Sequence, residues 1–344
     1  MNSIRHYRIA LVFLLCCLLA VLAYLPGLSG DYLFDDNVNL LGTKALDNTS
    51  LDVTELQKAA FSARSGRLRR PVSMASFAVN RYFFGLDPFS YKLINLAIHL
   101  LTGLGLLLLT RQIIDTHARL HAQSPPPAMA RWLPVIICSI WLVHPLNLTS
   151  VLYIVQRMTS LSSLFIVCAL CMYMAGRSRL LDNRTGIPYM VTGLFVFGGL
   201  ALFSKETGIL LPLYMLALEL TLFRFRTAAG LPDRRVQAFF LVFVLLPLAA
   251  GLIYLGMHFD KIANYSGRNF SLTERLLTEA RVLVFYLKMT VAPAVQQLGL
   301  YHDDFVISRG LLSPVTTLPA VVFLGGLLAG SLLLVRRLPL VSLG

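Results

Sequence analysis

Two adjacent carboxylates, Asp35 and Asp36, follow Tyr32, Leu33 and Phe34 soon after the first long apolar run ends. A carboxylate among aromatic and apolar neighbours suits a general base that takes a proton from an attacking hydroxyl. The same pair also fits a helix N-cap or a turn, where the short Asp side chain bonds the backbone. Arg67, Arg69 and Arg70 precede Pro71 in the same loop; such a cluster binds a lipid phosphate, or lipid headgroups in general. His144-Pro145 ends a later apolar run and Gln156-Arg157 opens the next, so an imidazole and a guanidinium converge on one short turn. Arg157, at the edge of hydrocarbon, reads as a functional residue, with snorkelling to the interface as the alternative. Ser204-Lys205-Glu206 interrupts the apolar stretch 187–223 with more charge than a minimal turn needs, although a plain surface turn has the same composition. Asn95 and His99 lie four apart on one helix face, where hydrogen bonding between helices accounts for them as well as a role in the site does.

The elements that must position these groups are set by hydropathy. The 344 residues are 56% hydrophobic and only 14% charged, with mean hydropathy +0.70, too much apolar surface for one soluble core. Runs long enough to cross a bilayer fall at 9–26, 93–110, 132–148, 158–175, 187–203, 207–223, 236–257 and 315–335. Backbone in hydrocarbon must satisfy its own hydrogen bonds, so the runs are helices and the expected fold is an all-α polytopic membrane protein of about eight transmembrane helices. The first run is followed by Pro26-Gly27 without a small-residue cleavage site, which reads as a retained helix. Residues 281–297, which hold Arg281, Lys288 and Pro293, read as a re-entrant or interface-lying segment. The stretch 71–84 reads as an amphipathic helix on the membrane surface, and Ser124-Pro125-Pro126-Pro127 as a stiff extended connector.

Charge gives the expected orientation. Arg5 and Arg8, Arg111, Arg119 and Arg131, Arg177, Arg179 and Arg184, Arg224, Arg226, Arg234 and Arg235, and Arg336 and Arg337 fall on one side, against Asp115, Asp182 and Asp233. That side is cytosolic by the basic-loop rule, which places the N-terminus inside and the long loops 27–92 and 258–314 outside. Every polar group singled out above then falls on the outer, non-cytosolic side. The formal charge of +13 follows from topology and gives no ground for a nucleic-acid partner. Cys16, Cys17, Cys138, Cys168 and Cys171 all sit in apolar runs, where a thiol is a small hydrophobe, and no metal-ligand spacing is present. The chain reads as one membrane domain with no separate soluble domain, either compact or the membrane portion of something longer.

The stretches FDD (34–36), RPVSMASFAVNRYFFGLDPFSYKLINLAIH (70–99), HPLNLTSVLYIVQR (144–157), SKETG (204–208) and YLKMTVAPAVQQLGLYHDD (286–304) together resemble the GT-C class of membrane glycosyltransferases, most of all the transmembrane and tetratricopeptide-repeat O-mannosyltransferases and their bacterial relatives. The resemblance implies a GT-C-like bundle whose first outer loop carries interfacial helices and the catalytic base, here Asp35 with Asp36 in support. It implies a polyprenyl-phosphate sugar as donor, a hydroxyl acceptor on a protein, lipid or glycan, inversion at the sugar, and no cofactor. Arg70, Arg157, Lys205 and His144 are then the groups to bind the donor phosphate. Glu206 orients Lys205 or bonds sugar hydroxyls, Asn95 and His99 support the site, and Tyr301 belongs to a loop that closes over the donor. His302, Asp303 and Asp304 leave a divalent metal as the alternative to a metal-free site. No tetratricopeptide repeats follow the membrane region, which leaves acceptor recognition open. The missing sorting signals fit a bacterial inner membrane with a periplasmic site, while Asn-x-Ser/Thr triplets at Asn48 and Asn269 suit an endoplasmic-reticulum protein equally. The competing readings are a transporter or flippase for a lipid-linked solute, which would place its charges near the midplane, and a non-catalytic envelope-assembly protein.

Overall fold

Apolar runs too long for a soluble domain become helices, and in the computed structural model they do so throughout. It describes residues 2–47, 50–63, 66–121, 129–299 and 305–343. Among these no β-strand forms; the extended pairings are the isolated bridges Arg226–Pro232 and Gly310–Ser313. The protein is an all-α polytopic membrane protein. Seven helices are long and apolar enough to cross a membrane, or up to eight if one bent pair is a single span. The described chain gathers into two compact units, Met1–Met215 with Thr227–Leu231, and Leu216–Arg226 with Pro232–Gly344.

In the first unit α1 (Asn2–Leu28) is followed by a loop that holds α2 (Val53–Ala60) and α3 (Pro71–Phe84). Then come α4 (Pro88–Leu120), α5 (Leu133–Leu142), α6 (Pro145–Leu152), α7 (Arg157–Leu181) and α8 (Ile187–Ser204). The boundary between the units falls inside α9 (Glu206–Phe223). Helices α4 and α7 form the central pair, with α1 and α5 against α4 and α8 against α7. Small residues permit the α7–α8 approach: a Cβ on Gly193 would sit 2.8 Å from the Ala169 carbonyl oxygen, the close packing that membrane helices favour. On α1, Leu11, Leu14, Leu15, Leu18 and Leu22 face outward and exposed, a stripe that lipid covers and water would not.

Three elements differ from expectation, two in their limits and one in its surroundings. The apolar run 132–148 is not one straight helix: α5 stops at Leu142 and α6 leaves at 52°. Pro145 lacks an N–H and holds His144 in extended backbone, at φ −67° and ψ 128°. The carbonyls freed at the break are taken up by side chains, Trp141 O by Asn147 Nδ2 at 2.7 Å and Leu142 O by His99 Nε2 at 2.9 Å. Helix α4 outruns the apolar run 93–110 at both ends, since propagating a helix is easier than ending it, and Asp87 caps its start by accepting from the amides of Phe89 and Ser90. The segment 71–84 does form a helix, but its Ser73, Met74, Phe77 and Asn80 are buried against the bundle, with Ser73 Oγ donating to the Ser204 carbonyl at 2.9 Å.

The second unit contains α10 (Arg234–Met257), α11 (Leu272–Val291) and α12 (Thr317–Leu334). Helix α11 covers most of the segment expected to be re-entrant or interface-lying and is one unbroken helix. A capping box starts it: Glu274 N donates to Ser271 Oγ at 3.2 Å and Ser271 N to Glu274 Oε2 at 2.7 Å. It ends where Pro293 forces the preceding Ala292 out of helical backbone, and it packs on α12. The proline-rich stretch at 124–127, Asn48, Tyr301, His302, Asp303 and Asp304 lie outside the described residues.

Candidate functional site

The site begins where α1 ends. Lys92, buried on α4, donates from Nζ to the Gly30 carbonyl at 2.6 Å and to those of Gly27 and Asp31 at 3.4 Å, so a cation closes the carbonyl end of α1. Phe34 then adopts φ 39°, a left-handed backbone costing about 1–2 kcal/mol for a residue with a Cβ. The reversal brings the Asp36 amide onto the Leu33 carbonyl at 2.8 Å and turns the two aspartates in different directions. Asp36 is 1% exposed, its Oδ2 accepting from Leu33 N at 3.0 Å and its Oδ1 from Val155 N at 2.7 Å. Burial pushes its carboxyl above the ordinary range, while the amides of Leu33, Val155 and Ile154 pull the other way. Asp35 is exposed; among the described residues only its backbone is tied, N to the Tyr153 hydroxyl at 3.1 Å and O to Asn39 Nδ2 at 3.0 Å.

The segment that receives these bonds, 151–156, is held from beneath. Asn95 Nδ2 donates to the carbonyls of Val151 at 3.2 Å and Ile154 at 3.3 Å, and its Oδ1 accepts from Arg157 Nε at 2.8 Å. Arg157 is 0% exposed. It also donates to Asn80 Oδ1 at 2.7 Å, to the Tyr91 carbonyl at 2.8 Å and to the Ser76 carbonyl at 3.3 Å, with its guanidinium 4.6 Å above the Phe77 ring. Its acceptors are all neutral oxygens, and they bind together α3, α4 and the start of α7.

Three of the expected residues meet in one cleft of ≈ 470 Å³, lined by Asp35, Val38, Asn39, Arg70, Tyr153, Val155, Gln156, Met158 and Lys205. Arg70 enters from the start of α3, in left-handed backbone at φ 44°. Its Nε reaches Glu206 Oε2 at 3.0 Å, its Nη2 the same oxygen at 2.9 Å, and its Nη1 Met158 Sδ at 3.3 Å. Lys205 enters between α8 and α9, and its Nζ donates to Thr159 Oγ1 at 2.6 Å. Burial, then Arg70, pulls its ammonium below the usual lysine range, partly offset by Glu206. The cleft thus offers a carboxylate base, two cations, two side-chain amides and a phenol, all at the end of the bundle opposite Arg5, Arg8, Arg177 and Arg179 in the chain order of α1 and α7.

The remaining expected residues sit elsewhere. Arg157 is enclosed in the wall and does not line the cleft, against the phosphate-binding role expected of it; its guanidinium is spent on neutral oxygens. His144 is also absent from the lining; its Nδ1 accepts from Leu146 N at 3.3 Å, within the turn that starts α6. Glu206 pairs with Arg70, where orienting Lys205 or bonding sugar hydroxyls was expected. Asn95 is the clamp described above, and His99, stacked on Trp141 at 4.5 Å between centroids, holds the α5 break. Tyr153, Thr159, Asn39, Lys92 and Asn80 escaped the sequence reading. Lys92 alone carried a signal, a charge at the edge of an apolar run like that of Arg157. Among the described residues no group of three or more His, Cys, Asp or Glu is placed to hold a metal ion. In the second unit a hollow of ≈ 400 Å³ at Tyr265, Arg268 and Glu274 includes none of the expected residues.

No protein-family model matches the chain, and no solved structure matches it. A human protein, Protein O-mannosyl-transferase TMTC3, is 27% identical over 192 residues. That match covers 54% of this chain and 19% of the human protein. The likeness is distant, and it is to a glycosyltransferase.

Proposed function

We propose that this protein is a GT-C-type glycosyltransferase that moves a sugar from a polyprenyl-phosphate donor to a hydroxyl acceptor on the non-cytosolic, periplasmic face of a bacterial inner membrane. The observation that carries this reading is the meeting of an exposed Asp35 carboxylate with Arg70 and Lys205 in one cleft, in a chain whose distant relative is an O-mannosyl-transferase. Asp35 takes the proton of the acceptor hydroxyl as its oxygen bonds the anomeric carbon. The bond from that carbon to the phosphate oxygen breaks, and its electron pair leaves with the lipid phosphate; attack from the opposite face inverts the centre. The departing phosphate goes from a singly charged diester to a monoester with more charge, so Arg70 and Lys205 bind the transition state better than the ground state. Phosphate leaves readily, so one base is enough.

In this reading Asp36, Asn95 and Arg157 position the base and do not touch substrate. Glu206 holds the Arg70 guanidinium in the cleft, and the acceptor is a protein, a lipid or a glycan. The test is transfer from a panel of synthetic polyprenyl-phosphate monosaccharides by the detergent-purified protein. Asp35→Asn is expected to lower transfer by about 100-fold or more with the unfolding temperature unchanged, because no side-chain bond is lost. Near wild-type turnover in that variant would remove Asp35 as the base.

A further inference from the structure

Behind Lys205 the structure holds a short chain of hydrogen bonds. Lys205 Nζ donates to Thr159 Oγ1 at 2.6 Å, and Thr159 Oγ1 donates to Gln156 Oε1 at 2.6 Å. An ammonium has no lone pair, so it can only donate; the threonine hydroxyl, accepting from it, passes its own hydrogen on. With the carbonyl oxygen of Gln156 as the receiving atom, the Gln156 Nε2 group is left to donate elsewhere. Gln156 and Lys205 line the same cleft while Thr159 does not.

We propose that Gln156 is a phosphate-binding residue of the cleft and Thr159 the positioning residue that aims it, so that the Gln156 amide and the Lys205 ammonium take two oxygens of one phosphate. This rests on the lipid-phosphate donor of the proposed function and adds to it the residues that read the phosphate. Gln156 supplies N–H donors and no charge, and Lys205 supplies the charge; Arg70 is already balanced by Glu206. The Lys205 ammonium is half-buried, and the neutral Thr159 hydroxyl restores only part of the hydration it loses. A phosphate oxygen in the cleft completes the ammonium's coordination.

The test is binding of a short-chain polyprenyl phosphate to the full-length protein in detergent, followed by native mass spectrometry, with inorganic phosphate as a competing second arm. Thr159→Val keeps the shape and loses the hydroxyl, and is expected to weaken binding by about tenfold. Thr159→Ser keeps the hydroxyl and is expected to bind as wild type does; a packing role would give the reverse order. Gln156→Glu can still accept from Thr159 but exchanges the N–H donors for charge, and is expected to lose at least about tenfold, along with competition by inorganic phosphate. Wild-type binding that both Thr159→Val and Gln156→Glu retain would overturn the relay and leave the proposed donor standing. A wild type that binds no polyprenyl phosphate would overturn the proposed donor, and the relay with it.

Discussion

Asp35 and Asp36 are neighbours in sequence with opposite surroundings, because the left-handed turn at Phe34 sends one carboxylate to the cleft and the other into the protein. The buried one fixes the exposed one. Asp36→Asn would set an amide N–H₂ against the N–H of Leu33 or Val155, two donors facing each other. The expected result is lower transfer at unchanged donor affinity, with a fall of about 1–3 kcal/mol in stability, measured by kinetics and denaturant unfolding. Wild-type values of both would show that Asp36 holds nothing. Lys205 gives a pH prediction whose sign follows from its surroundings. Burial and Arg70 lower its pKa, so the charged form proposed to bind phosphate is lost, as pH rises, earlier than for a free lysine near about 10.4. The alkaline fall in kcat/KM is expected below that value and is expected to disappear in Lys205→Arg, whose guanidinium stays charged. An alkaline fall unchanged in the arginine variant assigns it to another group.

At the scale of elements, the break between α5 and α6 shapes the cleft. Proline at 145 makes the break, Asn147 and His99 hold it by bonding the carbonyls it frees, and Asn95 holds the segment that follows by bonding the carbonyls of Val151 and Ile154. The returning segment then carries Tyr153 and Val155 to the two aspartates. Arg157 is the pin beneath it, so a change there acts on the fold first. Arg157→Ala would strand the oxygens of Asn80, Asn95, Tyr91 and Ser76, at about 1–3 kcal/mol for each buried acceptor that finds no water. Arg157→Lys cannot reproduce the planar fork and is expected to destabilise as well. Both variants should unfold at lower denaturant concentration than wild type; stable variants with weakened donor binding would return Arg157 to the phosphate site.

At the scale of the whole molecule, the outward leucines of α1 and the apolar length of seven helices make it an integral membrane protein. The basic loops give the expectation for which end of the bundle faces out: the cleft lies past the end of α1 and at the start of α7, while Arg5 and Arg8 open α1 and Arg177 and Arg179 end α7. In spheroplasts of a cysteine-free background, Asn37→Cys is expected to react with a membrane-impermeant maleimide, and Arg184→Cys only after permeabilisation. The reverse pattern would put the cleft in the cytosol and end the proposed use of an outward-facing donor. Charged groups gathered at helix ends, with none of the cleft residues at a helix centre, fit chemistry at the membrane surface better than passage through it.

The sequence by itself determined the helices, because a bilayer demands about 20 apolar residues per span and closed backbone hydrogen bonds, and both demands are written in residue order. It also marked Asp35, Arg70 and Lys205, as charge in an apolar chain stands out. Only the tertiary structure decided between lining and wall. Arg157 and Lys205 carry the same signal, a cation at a hydrocarbon edge, yet one faces four neutral oxygens from two helices and the other a cleft. Tyr153 and Thr159 were illegible for the same reason: their roles depend on partners 118 and 46 residues away, and the pairing of distant residues is set by how helices pack, which local pattern does not encode.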